Sequence, residues 1–170
     1  MTIRSRAIFT FLVIFACIGC DQETKSIARQ EIPASKPITK MGQMLQLQYT
    51  ENSGALLGVG SGLPAPVRFW LFIVFAGAAL TAILAFTLMD KKLRKPGIFA
   101  LSLVLGGGLS NLADRLFKGG IVVDFMKLTL GPVETAIFNL ADVMIIVGFV
   151  LFLVSNLPWS ALPERRANNC

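Results

Sequence analysis

Residues 69–89 read FWLFIVFAGAALTAILAFTLM, an uninterrupted apolar run without a single charge. A helix needs about 20 such residues to cross roughly 30 Å of hydrocarbon, so Phe69 to Met89 reads as a membrane span. Three further apolar stretches flank it: Ala7 to Cys20, Gly97 to Ala113, and Thr135 to Leu157, the last broken only by Asp142. The fourth stretch is long enough alone and the third is marginal. The first is too short unless it recruits Asp21-Gln22-Glu23-Thr24-Lys25, where Asp21 and Lys25 stand at i and i+4 in the favourable acid-first order. With 54% hydrophobic residues, 15% charged and a mean hydropathy of +0.67, the chain is more apolar than a soluble domain of 170 residues. The expected fold is an all-α membrane protein, one integral domain over 1–170. Its spans lie at about 7–25, 67–89, 97–114 and 135–157.

Net charge is +6, but the bases form no patch on a polar domain, so orientation in a membrane explains them better than nucleic acid does. With both termini cytoplasmic, the inner pieces hold Arg4, Arg6, Lys91, Lys92, Arg94, Lys95, Arg165 and Arg166 against Asp90 and Glu164. That leaves the spans and outer loops balanced at eight bases and eight acids. Short basic inner loops are what the positive-inside tendency of membrane proteins favours. The outer loops then cover about 26–66 and 115–134, and 158–170 is a polar cytoplasmic tail expected to be disordered. Met44 to Thr50 alternates apolar and polar like a strand, and Asn52-Ser53-Gly54 reads as a turn. Gly119-Gly120 turns into a short extended segment from Ile121 to Phe125. A small β element on the outer side is therefore expected beside the four helices.

Histidine is absent and there are three cysteines. Ser-His and Cys-His catalysis, histidine-bound zinc, four-cysteine metal sites and a disulfide framework are all excluded. No metal or cofactor is expected, and acid–base work falls to Asp, Glu, Lys or Tyr.

One tetrapeptide occurs twice: Asn111-Leu112-Ala113-Asp114 closes the third span, and Asn139-Leu140-Ala141-Asp142 lies near the start of the fourth. On a helix, i and i+3 share a face, so each unit presents an amide beside a carboxylate, with Asp124 in the loop between. Capping and polar contact between helices account well for Asp114, next to Arg115 at a helix end. They account poorly for Asp142, read as about two turns inside an apolar helix, where a carboxylate costs roughly 2.5–3.5 kcal/mol. Two carboxylates in a partly dry site share a proton. The ionised one can take a proton from water and the protonated one can polarise a carbonyl.

Five motifs carry a resemblance: Asp21-Gln22-Glu23-Thr24-Lys25, Asn52-Ser53-Gly54-Ala55, Gly106 to Arg115 (GGGLSNLADR), Val122-Val123-Asp124-Phe125 and Phe138-Asn139-Leu140-Ala141-Asp142. In this order they resemble the bacterial lipoprotein signal peptidases, the signal peptidase II family. The resemblance implies an aspartic endopeptidase of the inner membrane, its site near the periplasmic face. It would cut diacylglyceryl-modified prolipoproteins just before the lipidated cysteine and be sensitive to globomycin. It implies Asp124 and Asp142 as the catalytic pair. Asp21, Lys25, Asn52, Gly54, Asn111, Asp114, Arg115 and Asn139 would support the site or bind substrate, the small sheet would cradle that substrate, and membrane lipid would be the other partner. Two positions depart from the family pattern: Ala55-Leu56-Leu57-Gly58 follows Asn-x-Gly where a small pair and an aromatic are usual, and Ser110 replaces a frequent Gly. Gly106 and Ser110 still form a small-xxx-small face.

Three other readings compete. Arg4, Arg6, an apolar run and Ile18-Gly19-Cys20 imitate a lipoprotein signal sequence, although Cys17 stands where such boxes carry Leu or Val. Intramembrane Asp with Asn and Lys also describes a small proton-coupled transporter or assembly protein, but no repeat of whole helices is visible. A Ser-Lys peptidase would use Ser110 and Lys118, and nothing in the sequence explains how Lys118 would lose its proton.

Overall fold

A computed structural model describes residues 1–33, 38–40, 44–55 and 58–156, so the tail expected at 158–170 falls outside it. Thr2 opens α1 (Ile3–Glu31) by accepting the Ser5 amide on its hydroxyl at 3.1 Å. The helix ends at Ile32, whose ψ of 112° is the extended backbone that Pro33 imposes on its predecessor. Strands β1 (Ile38–Lys40) and β2 (Leu45–Asn52) follow. Next comes α2 (Ala65–Met89), which contains a π-type stretch from Trp70 to Phe75. Then come α3 (Lys95–Phe117), β3 (Val122–Leu130), β4 (Val133–Glu134) and α4 (Leu140–Asn156). The first three helices, of 29, 25 and 23 residues, are long and apolar enough to cross a membrane; α4 has 17.

Helix α3 is the axis of the bundle, and its three consecutive glycines face three different helices. A Cβ on Gly106 would stand 2.5 Å from Cys17 Cβ in α1, and one on Gly108 would stand 2.5 Å from Leu80 Cδ2 in α2. One on Gly107 would collide with the Ala141 carbonyl of α4. Further along, a Cβ on Gly148 would meet the Ala100 carbonyl at 2.6 Å, so α4 runs antiparallel to α3. Gly106 against Cys17, Ser110 against Asp21 and Asp114 against Lys25 climb together, so α1 runs parallel to α3. The small face of Gly106 and Ser110 is what lets α1 approach.

The four strands form one antiparallel succession, β1-β2-β3-β4, with β2 and β3 paired from Leu45↔Leu128 to Asn52↔Val122 across one register shift. The sheet rests on the end of α1 through Phe125, Ala28 and Ile32. At the opposite end of the bundle Arg6 is buried, and its Nη1 donates to the carbonyls of Thr87 (3.2 Å) and Asp90 (2.6 Å), which close α2.

Polarity across the molecule is inverted. Phe15 and Phe149 are 68% and 57% exposed, whereas Asp21 and Asn139 are fully buried. Helices with apolar outer faces and charges inside need an apolar surrounding medium. The fold defines a membrane protein.

Candidate active site

Asn139 organises the site. The residues before it are drawn into β4 and a bridge between Phe138 and Met126, so α4 starts at Leu140 and not at Thr135. Asn139 thereby becomes the residue that caps α4. Its Oδ1 accepts the Asp142 amide at 3.0 Å, and Asp142 Oδ2 accepts the Asn139 amide at 3.1 Å, a reciprocal capping box. Asp142 therefore lies in the first helical turn, not two turns deep, and capping does account for part of its placement. The free side of the box faces the site: Asn139 Nδ2 donates to Asp124 Oδ1 at 2.7 Å, and Asp142 Oδ1 accepts from Asn111 Nδ2 at 2.9 Å.

Asp124 reaches this point through irregular pairing. On β2 the register runs from Leu47 to Thr50 while β3 runs only from Met126 to Asp124, and Phe138 O accepts the amides of both Phe125 and Met126. Such bulges re-aim side chains. Phe125 packs with Ala28 and Ile32 and Met126 lies against that cluster, while Asp124 lines a cleft. There Asn52 Nδ2 donates to its Oδ2 at 2.8 Å. The carboxyl is 2% exposed. Burial, reinforced by the neighbouring Asp142 charge and opposed by the Asn52 and Asn139 hydrogen bonds, pushes its pKa up to about 6.

Behind the pair lies a buried ionic cluster. Lys25 Nζ donates to Asp114 Oδ2 at 2.7 Å and Asn111 Oδ1 at 2.9 Å and forms an ion pair with Asp21 Oδ2 at 2.6 Å, so three acceptors enclose the ammonium. Asp21 Oδ1 accepts the Ala141 amide at 2.9 Å, so α1 supplies a second acceptor to the start of α4 and places negative charge at its positive end. Ser110 Oγ donates to Asp21 Oδ2 at 2.6 Å; its hydroxyl braces that carboxylate, and no lysine takes its proton. Asp114, which looked like a plain cap, also meets Lys118 at 2.5 Å and Gln22 Nε2 at 3.0 Å.

Arg115 joins the outer loop to the bundle. Its Nη2 donates to the Gly54 carbonyl at 2.6 Å, Nη1 donates to the Asn111 carbonyl at 3.1 Å, and the guanidinium stands 5.7 Å from the centre of the Phe72 ring. Gly54 is crowded: a Cβ there would come within 2.6 Å of the Val59 carbonyl, while its amide donates to Asn52 Oδ1 at 2.8 Å. All ten residues singled out in the sequence thus belong to one connected network. Gln22, Lys118 and Phe72 were not singled out for this site. Lys118 stands at i+4 from Asp114, the same acid-first spacing that marked Asp21 and Lys25. Phe72 had no signal, since its position depends on the π-type stretch of α2.

The cleft has a volume of about 280 Å³, with Asn52, Asn111, Arg115, Asp124, Asn139 and Asp142 on its polar wall. Phe72, Ala76, Leu80 and Ile145 form its apolar wall. It is a membrane protein with two carboxylates facing a half-apolar cleft at the sheet end of its helices.

The family model for signal peptidase (SPase) II matches residues 13–157. A lipoprotein signal peptidase of Leifsonia xyli subsp. xyli is 34% identical over 96% of this chain and 76% of its own length. Another, of Halothermothrix orenii, is 32% identical over 85% of this chain and 92% of its own. Two solved bacterial membrane enzymes share the fold. One, determined at 2.3 Å, has a TM-score of 0.78, 24% identity and covers 95% of this chain and 94% of its own. The other, at 1.9 Å, has a TM-score of 0.77, 25% identity and covers 88% and 93%. The chain belongs to the signal peptidase II family.

Proposed function

We propose that this protein is an aspartic endopeptidase of the bacterial inner membrane that removes signal peptides from diacylglyceryl-modified prolipoproteins, cutting just before the lipidated cysteine. The observation that carries the reading is Asn139, which bonds the carboxyls of both Asp124 and Asp142 at the rim of one cleft. With one proton shared between them, the ionised carboxylate takes a proton from an attacking water while the protonated one polarises the scissile carbonyl. Negative charge then moves from the water to the carbonyl oxygen, and the proton returns to the departing amine.

Each remaining residue has a part in this scheme. Asn52 and Asn111 fix the two carboxyls, and the Lys25, Asp21 and Asp114 cluster holds α1, α3 and the start of α4 in register. Arg115 ties the Gly54 loop to the cleft. The apolar wall suits a signal peptide arriving within the bilayer, and the sheet end of the bundle is the periplasmic side, with both termini cytoplasmic. The reaction uses no metal or cofactor, and the partners are lipidated prolipoprotein and membrane lipid, not nucleic acid.

The test is cleavage of a lipidated prolipoprotein by the reconstituted protein and by Asp124→Asn and Asp142→Asn. Loss of an acid or base commonly costs about 10²–10⁴-fold, and each variant is expected to fall at least that far while still inserting. Normal processing by either variant defeats the mechanism. Proton flux across vesicles without cleavage would favour a transporter instead.

A further inference from the structure

A second polar pocket, of about 230 Å³, opens between α1, the end of α3 and β3, lined by Gln22, Lys25, Ser26, Arg29, Lys118 and Val123. It shares no lining residue with the catalytic cleft. Three cations converge there, while the two carboxylates that neutralise them, Asp21 and Asp114, are already engaged behind the pocket wall. One positive charge is left over. On β2, Glu51 accepts from the Tyr49 hydroxyl at 3.0 Å, and the Arg29 guanidinium reaches that same hydroxyl.

The donors divide unevenly. Lys25 is 2% exposed and enclosed by Asp21, Asp114 and Asn111. Lys118 gives one to Asp114 and one to Gln22 Oε1 at 3.2 Å, which leaves its third ammonium hydrogen free. Arg29 is exposed, forms no ion pair among the described residues and spends one contact on the Tyr49 hydroxyl, so most of its five N–H donors remain. Ser26 Oγ accepts weakly from Gln30 at 3.4 Å and retains its own O–H. A guanidinium fork, an ammonium and a hydroxyl around one small pocket suit a tetrahedral oxyanion.

Height in the bilayer indicates the source. At about 1.5 Å per residue, the 29 residues of α1 extend roughly as far as a whole bilayer with its headgroups, about 40–45 Å. Arg29, near the end of α1, therefore lies at headgroup level. Next to Lys118 in the chain, Phe117 is 84% exposed, an apolar ring where an acyl chain would lie. We propose that this pocket binds a phosphate anion presented by the headgroup of an anionic phospholipid.

The test does not depend on the peptidase reading. The full chain is equilibrated in micelles with equal amounts of phosphatidylglycerol and phosphatidylcholine of the same acyl chains, and retained lipid is read by native mass spectrometry. The parent chain is expected to retain the anionic lipid preferentially. Arg29→Gln should lower that preference about fivefold, the usual worth of one basic residue at an anionic surface, and Arg29→Lys should preserve most of it. Equal retention by the parent chain overturns the site, as does a preference unchanged in Arg29→Gln. If millimolar inorganic phosphate abolishes the preference, the anion comes from solution and the lipid assignment fails. If phosphate leaves it intact, the lipid assignment stands.

Discussion

Asp124 holds its proton more tightly in the folded protein than in the unfolded chain, because burial lifts its pKa from an ordinary 3.8 to about 6. Below the lower value both states are protonated and the group is neutral to folding. Between the two values the unfolded chain ionises first, so stability falls as pH rises. Above about 6 the loss is complete, on the order of 3 kcal/mol. Asp124→Asn cannot ionise and should lack this slope, which thermal unfolding in detergent from about pH 4 to 7 would reveal; equal slopes in both proteins would refute the assignment. Lys25 is a different case. It is 2% exposed and its partners are two buried carboxylates. Removing one member of such a group commonly costs about 3–5 kcal/mol, so Lys25→Ala is expected to lower the unfolding midpoint steeply. A midpoint near that of the parent would mean the cluster is solvated. Sequence could name Asp21 with Lys25, because acid-first i,i+4 spacing is a local property. The resemblance placed Asp114 among the supporting residues, but local spacing could not tie it to Lys25, which comes from a helix some ninety residues away in sequence.

Among the elements, α3 carries the most specific demand. A methyl on Gly107 would run into the Ala141 carbonyl, and backbone cannot yield as the tip of Leu80 can before Gly108. Gly107→Ala should therefore separate α3 from α4 and drag the Asn139 cap away from Asn111, and Gly108→Ala should be the milder change. Cleavage rate and unfolding midpoint measured together would show whether that order holds. The helices themselves were legible from their apolar lengths, and β2 and β3 from alternation and from the glycines before them. The start of α4 was not. Thr135 to Phe138 are apolar enough to extend a helix, and what stops them is pairing with β3, a non-local contact that apolar periodicity does not register. The repeated Asn-Leu-Ala-Asp was read as two equivalent helical faces. It is instead a helical face at Asn111 and a cap at Asn139, the same four letters used on either side of a helix boundary.

At the scale of the whole molecule, the inverted arrangement of apolar outside and charge inside makes the bilayer part of the fold. Arg6 illustrates how far this goes: counted in the sequence as an orienting charge, it is also a buried clasp on the last turn of α2. Helix α1 has a comparable double character. It passes without a break through Ile18-Gly19-Cys20, with Cys17 and Asp21 buried on either side. A peptidase must draw its substrate into extended form, and here the carbonyls around Gly19 are committed to helical hydrogen bonds while Asp21, two residues on, anchors α4. The protein carries a segment that looks like its family's own quarry, yet unwinding that segment would dismantle the blade. Intact mass measured on protein from cells that process lipoproteins should accordingly find the leader still attached, and a chain beginning at Cys20 would show that this immunity does not exist.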